Sequence, residues 1–175
     1  RLFNVYCSGL MSALKVPYSA YGETWFGEND YNFDSLDRQF EMFYKTAPED
    51  SYFILNIHLD SRDWWHEENP GRNKSFTHLS QIAADKKWRE DTANYLKALI
   101  KHCEEKHGER VVSYFLLGGH TTEWFSDYDY EETHPIKLKA YREYVKDADA
   151  VIPQKDELEK PQTQCFLDPV RDSKV

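Results

Sequence analysis

The segment that follows the apolar run Val111–Leu117 combines residue types that could perform acid–base chemistry. It reads Gly118-Gly119-His120-Thr121-Thr122-Glu123-Trp124-Phe125. Paired glycines let a ligand or another backbone approach closely. A carboxyl beside an apolar wall has its charged form disfavoured, so Glu123 beside Trp124 is suited to stay protonated near neutral pH and act as a general acid. Glycoside hydrolysis needs such an acid and a second carboxylate. The alternative is an ordinary loop glutamate.

A second polar group follows the apolar run Tyr52–Ile57. His58 and Asp60 are separated by one residue there. Together with His120 and Glu123 they supply the nitrogen and oxygen ligands that zinc and other divalent ions accept. A divalent-metal-dependent hydrolase is therefore an alternative function, although neither an HExxH motif nor a cysteine cluster accompanies these residues.

In a sugar-binding site the same polar residues would hydrogen-bond hydroxyl groups, and tryptophans would stack on a ring face. Glu123 is the predicted catalytic residue. The predicted substrate-binding residues are His58, Asp60, Trp64, Trp65, His120, Thr122 and Trp124. This interpretation requires no cofactor and no metal.

The elements that position these residues form a repeated strand–helix order. Continuous apolar or β-branched runs predict buried strands at Leu2–Cys7, Tyr52–Ile57 and Val111–Leu117. Apolar residues at helical spacing predict a helix after each strand. Because parallel strands need helical crossovers, this order predicts an α/β fold with a parallel sheet.

Capping residues set the expected helix limits. The first helix is predicted to begin at Asp34 as N-cap and to end before Pro48. The second is predicted to run from near Ser80 to a stop at Gly108. The third is predicted to start around His134 and Pro135 and to fade by Ala150, because proline is favoured in a first turn.

Long segments follow the strands, and short ones follow the helices. The strand-to-helix segments are Ser8–Phe33, His58–Leu79 and Gly118–Thr133, well beyond the usual length of roughly 2 to 6 residues. Four of the five tryptophans and several carboxylates lie in them. Ligands of α/β folds bind at the carboxyl ends of the strands, where such loops emerge. Flat apolar walls with acidic groups favour a neutral sugar over a phosphate.

Several of these stretches occur in an order that resembles the β-galactosidase-type glycoside hydrolases of clan A. They are Asn29–Arg38, Trp64-Trp65 with Glu68-Asn69-Pro70, Trp88-Arg89 and Tyr114–Phe125, and the resemblance spans about residues 2–147. It implies a (β/α)8 barrel of the TIM type, present here as an incomplete barrel of about strands two to four with their helices. Glu123 then takes the place of the acid/base at the end of strand four.

The same resemblance implies a retaining mechanism, with a nucleophilic carboxylate on barrel strand seven, outside this chain. The clan has asparagine before its acid/base, bound to the 2-hydroxyl of the sugar, whereas this chain has Thr122. A threonine offers a hydroxyl in different geometry, so the substrate is expected to differ.

Charge and length limit the possible partners. The chain has 175 residues and a net charge of −9, with no cluster of Lys and Arg, which argues against nucleic acid as partner. No run reaches the roughly 20 apolar residues of a membrane span. We expect a soluble chain with a carbohydrate substrate, cytoplasmic or secreted. Three dispersed cysteines favour neither a disulfide framework nor a zinc ribbon.

The expected organisation is a partial barrel over residues 1–147 and an irregular, proline-containing extension over 148–175 that leads to a missing barrel unit. A complete barrel typically takes about 250 residues. A third alternative is therefore a partial barrel that binds sugar without cleaving it. The isolated chain is expected to be inactive and to self-associate through exposed strand edges.

Overall fold

The computed structural model describes residues 2–7 as backbone, and residues 22–75, 78–118 and 134–153 with their side chains. The chain divides into two compact units, 1–127 and 128–175. The boundary at 147 drawn from the sequence stays a prediction. In chain order the elements are β1 (Leu2–Cys7), β2 (Trp25–Gly27), β3 (Asp30–Tyr31), α1 (Asp34–Thr46), β4 (Tyr52–His58), α2 (Asp63–Glu68), α3 (Leu79–Ala83), α4 (Lys86–His107), β5 (Val111–Leu117) and α5 (Pro135–Val145).

The first unit contains a three-stranded parallel sheet. Its order is β1-β4-β5, and both strand pairs are parallel, with Leu2 opposite Tyr52 and His58 opposite Leu117. The three predicted strands are present, and β4 is one residue longer than predicted because His58 still pairs with β5. A closed barrel stays a prediction. Self-association through exposed strand edges also stays a prediction. In β5, Val112 and Phe115 are each more than half exposed.

Alternation along β4 separates an apolar face from a polar one. Phe53, Leu55 and Ile57 are fully buried in a core that also contains Phe40 of α1 and Leu99 of α4. Phe40 and Phe53 meet edge to face, with ring centroids 5.6 Å apart. Because successive side chains of a strand point to opposite faces, the buried Asn56 and His58 lie on the other side of the sheet from this core.

The segments predicted as loops after two of the strands contain short elements. The antiparallel pair β2–β3 lies within the first of them, and α2 lies within the second. These elements were not predicted because strands of two or three residues and a single helical turn carry too little periodicity to be detected.

The start of α1 differs by one residue from the prediction. Asp34 is the first helical residue and Phe33 occupies the N-cap position, without a side-chain cap. The side chain of Asn32 accepts a hydrogen bond from the Asp34 amide at 2.8 Å instead. The helix ends at Thr46, before Pro48 as predicted, and α5 begins at Pro135 with His134 as N-cap, also as predicted.

The second predicted helix is divided in two. A break at Ala84 and Asp85 separates α3 from the 22-residue α4. Asp85 caps α4, because its carboxylate accepts hydrogen bonds from the backbone amides of Lys87 at 2.8 Å and Trp88 at 3.3 Å. The predicted stop at Gly108 is correct in position but wrong in type, since Gly108 has φ −57° and is not left-handed.

Replacing Asp85 with alanine is expected to lower the free energy of unfolding by about 1 to 2 kcal/mol, because the first turn of α4 loses its acceptor. Asp85→Asn is the matched control, since asparagine also caps helices but gives up the ion pair with Arg72, whose Nε lies 2.5 Å from the Asp85 carboxylate. Urea unfolding followed by circular dichroism measures both. Equal losses in the two variants would assign the effect to the ion pair rather than to the cap.

Candidate functional site

The carboxyl edge of β4 is built from buried polar residues. His58 and Asp60 are 0% exposed, and Ser61 and Arg62 are also buried. The amide of Leu59 donates to the carbonyl of Leu117 at 2.8 Å, so the end of β5 lies beside this group. The carboxyl ends of β4 and β5 therefore lie at the same edge of the sheet.

His58 and Asp60 lie together as the sequence predicts. Nδ1 of His58 is 3.9 Å from Oδ2 of Asp60. Burial lowers the pKa of His58, so its imidazole is neutral at physiological pH and offers one donor and one acceptor. Such a ring is suited to hydrogen-bond a hydroxyl or to ligate a metal ion.

A serine network holds the backbone after β4 in place. Oγ of Ser75 donates to Oδ1 of Asp60 at 3.2 Å and accepts from the Ser61 amide at 2.7 Å. Oγ of Ser61 in turn lies 2.7 Å from Nε2 of His66. Ser61 and Ser75 were not predicted as site residues, because residues 14 positions apart in an irregular segment carry no periodic signal.

Arg62 is a third residue of this site that no sequence pattern indicated. Its guanidinium is ion-paired with Glu23, and the residue is 1% exposed. Burial lowers the pKa of Arg62 to about 10, although Asp63 and Tyr95 act in the opposite direction. Arg62 therefore stays charged at neutral pH. Its pair with Glu23 joins the segment before β2 to the end of β4.

Trp64 and Trp25 form an aromatic pair on this side of the unit. Their ring centroids are 5.0 Å apart at an interplanar angle of 82°. Nε1 of Trp64 donates to the carbonyl of Trp25 at 3.1 Å, and Trp25 stacks on Tyr95 at 5.2 Å. Trp25 is buried, whereas Trp64 is half-buried and keeps accessible ring surface.

Trp65 has a different environment. It is 0% exposed and belongs to the core. Its Nε1 donates to Oδ2 of Asp91 at 2.8 Å, and the guanidinium of Arg72 lies 5.7 Å from the ring centroid. In this conformation Trp65 leaves no face for a sugar ring.

The remaining predicted site residues lie outside the described part of the chain. They are His120, Thr122, Glu123 and Trp124. The four-residue metal group that includes His120 and Glu123 therefore stays a prediction. Within the ranges that the structure describes, the group of three or more side chains able to hold a metal ion is a different one, Asp37 with His102 and His107.

Comparison with known proteins found no matching family model, no matching curated protein and no matching solved structure. Of the helices in the described ranges, none combines the length and apolar character that crossing a membrane requires.

Proposed function

We propose that this chain is part of a retaining, β-galactosidase-like glycoside hydrolase in which Glu123 is the general acid/base. The observation that supports the proposal best is the position of His58 and Asp60. Both are fully buried at the carboxyl end of β4, and the backbone contact between Leu59 and Leu117 brings the end of β5 to the same edge. In the sequence Glu123 follows the end of β5 by six residues, and α/β enzymes bind their ligands at the carboxyl ends of such strands.

In this proposal residues at the end of β4 and in the segment after it bind the sugar, and Glu123 transfers the proton. The neutral imidazole of His58 and the carboxylate of Asp60 hydrogen-bond hydroxyl groups, and the accessible part of Trp64 packs against the C–H face of the ring. Glu123 protonates the leaving oxygen and then deprotonates the attacking water. The nucleophile is a carboxylate outside this chain, about 5 to 5.5 Å from Glu123.

A divalent-metal-dependent hydrolase using His58, Asp60, His120 and Glu123 is the second candidate. The closeness of Nδ1 of His58 and Oδ2 of Asp60, 3.9 Å apart, supports it, because two ligands of one tetrahedral ion are about 3.3 Å apart and these atoms need to approach by only about half an ångström. In that case the ion would activate water in place of an acid/base carboxyl.

A panel of aryl β-glycosides tests the proposal on the full-length protein that carries this chain. We expect cleavage of at least one glycoside, with a product that first appears as the β-anomer by NMR and with activity that survives dialysis against a chelator. Activity lost with stoichiometric zinc or manganese would favour the metal-dependent hydrolase. Sugar binding by calorimetry without any cleavage would favour a non-catalytic barrel.

A further inference from the structure

We infer that Asp37, His102 and His107 form a binding site for a divalent transition-metal ion such as Zn²⁺ or Co²⁺ between helices α1 and α4. The site is separate from the strand edge, and the inference does not depend on the proposed glycosidase activity. Two imidazoles and one carboxylate are ligand types that these ions accept.

The donor atoms already converge on one point. Nε2 of His102 is 2.6 Å from Oδ1 of Asp37, and Nε2 of His107 is 3.1 Å from the same oxygen. All three donor atoms lie within 4.8 Å of one another. Ligands about 2.0 to 2.1 Å from a tetrahedral zinc are about 3.3 Å apart, so an ion fits once the two histidine nitrogens move away from Oδ1 of Asp37 by roughly 0.7 Å and 0.2 Å and lie at that separation from each other. A fourth position stays open for water.

Packing holds both histidine rings in place. The ring of His107 stacks on Phe40, with centroids 4.0 Å apart and an interplanar angle of 19°. The ring of His102 lies 4.7 Å from that of Phe33. The side chains are 8% and 20% exposed, so binding an ion requires little further loss of side-chain freedom.

The ring nitrogen of a metal-binding histidine that does not face the metal usually has a hydrogen-bond partner, and Tyr44 is that partner for His107. Its hydroxyl is 2.8 Å from Nδ1 of His107. Once an ion takes the place of the hydrogen bond from Nε2 to Asp37, Nδ1 carries the proton and donates to this hydroxyl, and the lone pair of Nε2 is directed toward the ion. Such partners set the tautomer and orientation of the ligand, and their removal costs about 10- to 100-fold in affinity.

Lys106 is the competing cation. Its Nζ is 2.5 Å from Oδ2 of Asp37, the carboxylate oxygen that the histidines do not contact. The side chain is 55% exposed, so it can turn into solvent. Removing its charge should strengthen metal binding, because the ammonium repels a divalent ion only a few ångströms away.

Titration of the metal-free protein with Co²⁺ alone and with Zn²⁺ alone tests the inference. We expect one ion per chain, the visible absorption bands of tetrahedral Co²⁺, and displacement of Co²⁺ by Zn²⁺. Asp37→Asn and His102→Gln should weaken binding at least about 10-fold, Tyr44→Phe about 10- to 100-fold, and Lys106→Gln should tighten it about 10-fold. Circular dichroism checks that each variant is folded.

His78→Gln is the matched histidine control, since His78 does not belong to this cluster, and it should bind the ion as the wild type does. The inference is overturned if the wild type takes up no stoichiometric ion, if folded Asp37→Asn and His102→Gln bind as well as the wild type, or if His58→Gln removes the bound ion.

Discussion

Glu123→Gln is expected to reduce the turnover of aryl β-glycosides by about 100- to 10,000-fold, the usual contribution of general acid–base catalysis. The loss should fall on the second half of the reaction. Aryl leaving groups whose phenols have a low pKa depart without help from an acid, whereas the attacking water needs the base to remove its proton. The glycosyl-enzyme should therefore accumulate, with a burst of the aryl product followed by a slow steady state.

Azide provides the diagnostic measurement for this variant. Azide attacks without base assistance, so it should restore much of the turnover of Glu123→Gln and yield a β-glycosyl azide, while leaving the wild type unaffected. Glu131→Gln, from the same segment of the sequence, is the matched control and should keep wild-type activity. A Glu123→Gln protein as active as the wild type would rule out the acid/base role, and loss without azide rescue would contradict it.

Trp65→Ala is expected to lower the free energy of unfolding by about 3 to 5 kcal/mol, the usual cost of truncating a buried aromatic residue. Trp65 is 0% exposed, and its indole N–H satisfies the buried carboxylate of Asp91 at 2.8 Å. Trp65→Phe restores most of the volume but not the hydrogen bond. The free energy of unfolding of Trp65→Phe should therefore be about 1 to 3 kcal/mol lower than that of the wild type, because Asp91 is left with one hydrogen-bond donor fewer.

Trp64 is the matched control at the neighbouring position. It is half-buried and contacts Trp25 through its ring edge and its N–H. Trp64→Ala should cost less stability than Trp65→Ala, and in the proposed hydrolase it should raise KM for glycosides while Trp65→Phe leaves KM unchanged. Urea unfolding and steady-state kinetics measure the two effects. The assignment is wrong if Trp65→Phe raises KM without loss of stability.

The main elements were predictable because their signals are local. Residues 52–57 and 111–117 are mostly apolar or β-branched, which is typical of strands in a parallel sheet. In the structure β4 pairs in parallel with β1 on one side and with β5 on the other. The break at Ala84 and Asp85 was not predicted, since an interruption of two residues is too short to be detected in the apolar spacing. The clan resemblance and the role of Glu123 stay predictions.

By itself, the sequence determined the strands, the helix that ends before Pro48 and the placement of His58 and Asp60 at a strand end. The tertiary structure decided which of two adjacent tryptophans is buried, because one residue of helical rotation, about 100°, turns Trp65 into the core and leaves Trp64 half-exposed. The tertiary structure also brings Asp37 into contact with His102, which is 65 positions away in the chain, and with His107, which is 70 positions away. Contacts between side chains so distant in the chain depend on how helices pack, and no periodicity in one segment records that packing.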